Sequence, residues 1–390
     1  MRGWRRQGVR LSAVLAVALL PAVSCGEGTR KQPVDSARDL GAAREALPVA
    51  ESERLVLTGV GATLPYPLYA RWFNEYAAVA PVRISYRSEG SPQGIAAALN
   101  GSADFGATDI PVSDSAMQAS GRAVVHIPMA VGAVAITYNV PGTTRPLRLS
   151  GEVVADLFRG RIAFWDDARL RAINPGVTLP HLAVRPVRRS DGSGTARIFA
   201  RYLQLVQGAS AAAAADAPWP AGDSVIVRDG NEAVAAEVKA TAGTVAYLEV
   251  VYARQNRLPA AHLRNRAGQF VSPMPFEIAT AAANTLDALA PFDDEGVSGF
   301  RVSLLDAKGK QAYPLAAFTW LLIAPSQLSA TKRTALADFL RWALLEGAPS
   351  ASSMGYVPLP SAVADAVLAR VDGALRCDPC ATGAASGTVR

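Results

Sequence analysis

From Leu55 onward, short apolar strands alternate with amphipathic helical stretches, and the turns between them pair a glycine with a hydroxyl or a charge. That alternation argues for α/β sheets covered by helices. Leu55–Leu57 reads as a strand and Thr58–Thr63 as a turn-rich loop. Pro65 then opens a helix with Leu68, Trp72 and Tyr76 on one face, at i, i+4 and i+8. Val82, Ile84 and Tyr86 alternate as a strand that ends in Glu89-Gly90-Ser91, and Asp104–Ala107 is a small-residue strand ending at Thr108-Asp109. Further strands are expected at Val134–Tyr138, Val184–Val187, Val225–Val227, Val245–Leu248 and Phe318–Ile323. Helices are expected at Ala196–Val206, Asn231–Ala240 and Ala335–Leu345. Ala209–Gly222, rich in alanine and proline, reads as a surface excursion, and residues 373–390 as a tail. A length of 390 residues suits about two domains, each with its own core.

The N-terminus carries an address. Arg2, Arg5, Arg6 and Arg10 precede an apolar run from Leu11 to Val23, the order of a secretory signal peptide over residues 1–24. That run is shorter than the roughly 20 residues a membrane span needs. Ala22-Val23-Ser24-Cys25 resembles a bacterial lipobox, in which Cys25 becomes the lipidated first residue; the alternative is a plain secreted protein with one spare thiol. Residues 25–53 are polar with scattered alanines and read as a tether from a lipid anchor on a membrane surface to the folded body. The formal charge is +6, but four positive charges lie before Cys25 and no acidic residue does, so a chain starting there carries +2. Such a balance leaves no bulk-charge footprint for nucleic acid. Three cysteines exclude a disulfide scaffold, and three scattered histidines argue against a histidine-rich metal site. Cys377 and Cys380 form a C-x-x-C whose default in an oxidising compartment is a local disulfide, with no function assigned.

Open α/β sheets bind ligands at the carboxyl ends of their strands, beside helix N-termini whose unpaired amides favour anions. Four loops have that placement: Ala62-Thr63-Leu64, Gly90-Ser91, Thr108-Asp109 and Arg189–Thr195. Each also has a structural reading. Thr63 and Ser193 suit helix caps, Asp109 could begin a turn before Pro111, and Arg189 with Asp191 could be a surface ion pair. Catalysis has little support. His126, His181 and His262 lie in no triad setting, and neither a Gly-x-Ser-x-Gly nor a Gly-x-x-x-x-Gly-Lys motif occurs.

Taken together, TGVGATLPYPLY (Thr58–Tyr69), SEGSPQG (Ser88–Gly94), ADFGATDIP (Ala103–Pro111) and VRRSDGSGT (Val187–Thr195) resemble the periplasmic phosphate-binding protein of the bacterial phosphate ABC transporter. The runs Pro146–Asp167, Val245–Ala253, Ala317–Ile323 and Gly355–Pro360 fit the same resemblance, in order, over about residues 55–372. The resemblance implies a type II periplasmic-binding-protein fold: two lobes, each a sheet flanked by helices, joined by a two-strand hinge. Residues 54–135 with 314–372 would form the first lobe and 136–313 the second, with Val134–Tyr138 and Phe318–Ile323 as the crossings. By motif match, phosphate would be held by Thr63, Leu64, Ser91 and Asp109 from one lobe and by Arg189, Ser193, Gly194 and Thr195 from the other. Asp191 would hold Arg189 by an ion pair. The resemblance further implies no cofactor, no enzyme activity, a monomer, and the membrane permease subunits of an ABC importer as partners. Pro92 departs from the family's pattern and removes an amide donor, and Asp229-Gly230-Asn231-Glu232 departs from its Gly-Asn-x-Gly, so no role is carried over there. Sulfate or molybdate is the rival ligand, and a phosphate sensor or scavenger is the rival role.

Overall fold

In the computed structural model, which describes residues 54–207, 224–286 and 300–376, three parallel strands begin the fold: β1 (Leu55–Gly61), β2 (Val82–Ser88) and β3 (Phe105–Thr108). The signal peptide, Cys25 and its tether, the Ala209–Gly222 excursion, and Cys377 with Cys380 lie outside the described residues. Strand β1 extends through Thr58–Gly61, which the sequence read as loop. The reason is packing: a Cβ on Gly59 would lie 2.2 Å from the Phe105 ring, and one on Gly61 would lie 2.1 Å from the Ala107 carbonyl oxygen. These glycines are strand positions without room for a side chain.

Strand β4 (Val125–Tyr138) runs longer than expected, and every residue after Val125 is buried. A strand covered on both faces reads as one apolar run, which hides its extent. Its first part, Val125–Ala133, pairs antiparallel with the last strand, β11 (Ala316–Ile323), which in turn pairs with β3. From Val134 to Tyr138 it pairs instead with β8 (Thr244–Glu249) of a second sheet. That sheet continues through β6 (Arg185–Arg189) to β7 (Ile226–Arg228), all parallel. Thus β4 is shared, and the full order is β2-β1-β3-β11-β4-β8-β6-β7. Strand β11, expected to cross, lies wholly in the first sheet; the chain returns just before it, where Leu315 accepts a hydrogen bond from the Val134 amide (2.9 Å). Three short strands, β5 (Arg148–Leu149), β9 (His262–Arg264) and β10 (Phe270–Val271), form a separate small sheet.

Helices cover both sheets. Those before β6 are α1 (Tyr66–Val79), α2 (Ser91–Asn100), α3 (Asp114–Ser120), α4 (Gly151–Phe158) and α5 (Ala168–Ile173). They are followed by α6 (Gly194–Val206), α7 (Gly230–Ala240), α8 (Val250–Gln255) and α9 (Pro275–Leu286). The last three are α10 (Ala330–Leu345), α11 (Ala348–Met354) and α12 (Ser361–Leu375). Leu68, Trp72 and Tyr76 of α1 are buried as the spacing demands, and Phe73 and Tyr76 pack on Phe339 of α10. Over the second sheet, Phe199 of α6 sits between Phe158 and Tyr247, with ring centroids 4.7 and 4.4 Å away. Burial of each such ring contributes about 1.5–3 kcal/mol. The supposed tail begins later than expected, because Val371 and Leu375 keep the apolar face of α12 buried to its last turn.

Parallel pairing has one consequence for everything below. The carboxyl ends of β1, β2 and β3 share one edge, and those of β6, β7 and β8 share another. Helix α2 is fixed at the first edge by backbone contact, since a Cβ on Gly94 would lie 2.0 Å from the Ala107 carbonyl oxygen. Backbone cannot give way as a side chain can, so Gly94→Ala should destabilise the protein by about 1–3 kcal/mol or more. Thermal unfolding followed by circular dichroism should show a lower Tm, and an unchanged Tm would contradict this packing.

Candidate functional site

The four loops singled out in the sequence converge between the two strand edges. Past β1, Thr63 and Leu64 are buried, and among the described residues their amides have no partner. The backbone there is braced from behind: Tyr356 Oη donates to the Leu64 carbonyl (2.8 Å) and Tyr252 Oη to that of Thr63 (3.4 Å). Thr63 is therefore not a helix cap; Pro65 holds that position in α1. Past β2, Ser91 starts α2 and is fully buried, its Oγ donating to Asp109 Oδ2 (3.3 Å) and accepting from the Asp109 amide (3.1 Å). Asp109 is thereby held in place at the end of β3.

From the other edge, Ser193 caps α6 by accepting from the Ala196 amide (3.4 Å), which leaves the amides of Gly194 and Thr195 directed out of the helix start. The two faces nearly touch here. A Cβ on Gly194 would lie 2.2 Å from Ser91 Oγ and 2.7 Å from Asp109 Oδ2. Beside them, a Cβ on Gly192 would meet the Pro92 ring at 3.3 Å. Thr195 Oγ1 is buried without a hydrogen-bond partner among the described residues.

Arg189 is the centre of the second face. Its side chain is 0% exposed, which removes the surface ion-pair reading. Nε donates to Asp191 Oδ1 (2.7 Å), Nη2 donates to Asp191 Oδ2 and to Thr63 Oγ1 on the facing loop (3.3 Å), and Nη1 donates to Asn231 Oδ1 (3.1 Å). Asp191 thus balances the arginine charge, and most remaining donors at the site are neutral amides and hydroxyls.

Two buried carboxyls complete the setting. Burial pushes the Asp109 carboxyl up to about 7, against the pull of the Thr319 and Ser91 hydroxyls and of Arg189. Its Oδ1 is buried without a hydrogen-bond partner among the described residues. Glu249, fully buried at the end of β8, is also raised well above the usual carboxylate range by burial, although amides at the start of α8 favour its charged form. Its Oε2 accepts from the Val251 amide (2.8 Å). Sequence reasoning missed Glu249 and carried over no role for Asn231. Both follow the carboxyl-end rule applied to the second sheet, and an acid closing the apolar run Val245–Leu248 was the signal for the first.

The described histidines make contacts of their own. His126 is buried and accepts from the Val112 amide, while His181 lies against Asp166 and Phe164. Among the described residues no cluster of three or more His, Cys, Asp or Glu could hold a metal ion, and no helix is long and apolar enough to cross a membrane.

The geometry has relatives. A model of the PBP superfamily domain matches residues 47–346. The phosphate-binding protein PstS of Methanocaldococcus jannaschii is 36% identical over 372 residues, covering 91% of this chain and 92% of that protein. PstS of Xylella fastidiosa is 35% identical over 321 residues, 80% of this chain and 84% of its own. Among solved structures, a phosphate-binding protein from Stenotrophomonas maltophilia superposes with a TM-score of 0.63 at 20% identity, covering 81% of this chain and 93% of that one. A phosphate transport receptor from Vibrio cholerae gives 0.52 at 16% identity, covering 78% and 100%. The fold is the two-lobed α/β arrangement of periplasmic binding proteins. The chain belongs to the PBP superfamily and, within it, to the PstS family of phosphate-binding proteins.

Proposed function

We propose that this protein binds inorganic phosphate outside the cytoplasm and delivers it to the permease subunits of an ABC importer, without catalysing a reaction. The observation that carries the reading is the convergence of hydroxyls, and of amides with no partner among the described residues, on a charge-balanced Arg189 beside the buried Asp109 carboxyl. In this reading Thr63, Leu64, Ser91, Ser193, Gly194 and Thr195 donate to the anion, Arg189 adds a charged donor, and Asp191 holds Arg189. Hydrogen bonds to a charged partner contribute about 1.5–3 kcal/mol each, so several convergent donors can replace the anion's water. Residues 54–135 with 314–372 form one lobe and 136–313 the other, closing as a monomer on a ligand that takes donors from both.

Asp109 gives the site its selectivity. Near neutral pH phosphate carries a proton that an ionised carboxylate can accept, and sulfate does not. Titration calorimetry with both anions tests the reading: phosphate should bind in clear preference to sulfate, and the reverse order would overturn it. Arg189→Ala should weaken phosphate by about 2–5 kcal/mol and sulfate alongside it. Asp109→Asn should reduce the phosphate-to-sulfate preference more than phosphate affinity itself, and an unchanged preference would make Asp109 a turn residue only.

The sign of the pH effect follows from the raised Asp109 carboxyl. Well above pH 7 the group is ionised and repels sulfate; as pH falls through about 7 it gains a proton and can donate to sulfate instead. Sulfate binding should therefore strengthen between about pH 8 and 6, and more steeply than in Asp109→Asn. Competition titrations across that range check it.

In the same reading a lipid on Cys25 holds the mature protein on a membrane surface, supported by the signal-like order that ends at that cysteine. Cys25→Ser should move the protein into the soluble fraction. Wild type that is already soluble and lipid-free by mass spectrometry would rule the anchor out.

A further inference from the structure

We infer that Asn231 is a positioning residue for the anion, acting by fixing the plane of the Arg189 guanidinium. This inference rests on the phosphate reading above. A guanidinium carries five N–H donors in one plane. Asp191 takes its Nε edge, and an arginine held along a single edge can still swivel about it. Thr63 is a further contact, but it belongs to the facing loop and offers a hydroxyl that the anion itself needs. Within the arginine's own sheet, the second anchor is Asn231 Oδ1 on Nη1 (3.1 Å).

Asn231 is built for that task. It is fully buried in the first turn of α7, and its Oδ1 also accepts from the Glu249 amide (3.2 Å). Two donors on one oxygen fix which way the amide points, so it cannot turn away from Arg189. Glu249 in turn pairs with Val134, the residue at which β4 changes sheets. The start of α7 is further tied to the arginine loop, where Ser190 Oγ donates to Asp229. The arginine fork is thus referenced to the shared strand. Asn231 Nδ2 meanwhile is buried with no partner among the described residues. An unmade buried donor is unfavourable, which argues that the residue is present for its oxygen and not for packing.

A double-mutant cycle on the full chain, read by titration with inorganic phosphate, tests this. Asn231→Ala should weaken phosphate binding about tenfold or more in the wild-type background, as loss of a hydrogen bond to a charged group does. In an Arg189→Ala background the same change should cost less than about twofold, because its effect runs through the arginine. Equal losses in both backgrounds would assign Asn231 to the general structure and overturn the inference, as would no loss in wild type. If Asn231→Ala does not fold, Asn231→Ser enters the same cycle with the same two outcomes. Wild type that binds no phosphate at all would instead overturn the phosphate reading, and this inference with it.

Discussion

The molecule depends on one strand belonging to two sheets. Strand β4 pairs with β11 up to Ala133 and with β8 from Val134, so a single run of backbone carries the hydrogen bonding of both. It can do so only because it is apolar and covered on both faces almost throughout. The parallel strands on either side then end at edges that face one another, and every group at the candidate site sits at such an end. The site follows from strand direction before any particular side chain is considered.

Charge is used sparingly where those edges meet. Arg189 would be expensive to bury alone, and Asp191 removes most of that cost through two contacts to the guanidinium. What remains for an incoming anion is mainly amides and hydroxyls, whose dipoles are already oriented by the starts of α2 and α6. Asp109 and Glu249 run against this economy. Both carboxyls are buried at the candidate site, and burial holds both above their usual range, so each takes up a proton more readily than an exposed carboxylate would.

Much of this could be read from residues alone, and the exceptions have physical causes. The strand–helix alternation and the four loops follow from local pattern, because turn glycines and cap hydroxyls act within a few residues. Strand β1 was cut short because Gly59 and Gly61 look like turn residues, whereas Phe105 and Ala107, distant in sequence, fill the space where their side chains would be. The full length of β4 was hidden because a doubly buried strand has no alternation to mark its ends. Asn231 received no role because its value comes from Arg189 and Glu249, which lie on two strands while it lies on a helix. Arg189 with Asp191 could be read as a surface ion pair as well as part of the site, since burial is invisible in two letters separated by a single serine.

Pro92, which departs from the expected loop, lies opposite Gly192 on the facing edge, where a Cβ on the glycine would come within 3.3 Å of the proline ring. The glycine also holds a left-handed φ of +62°, so a side chain there would be strained as well as crowded. A proline ring has no rotamer by which to turn away from such a neighbour. How closely the two strand edges approach at this point is therefore a property of the pair, and a change to either residue is felt on the opposite edge.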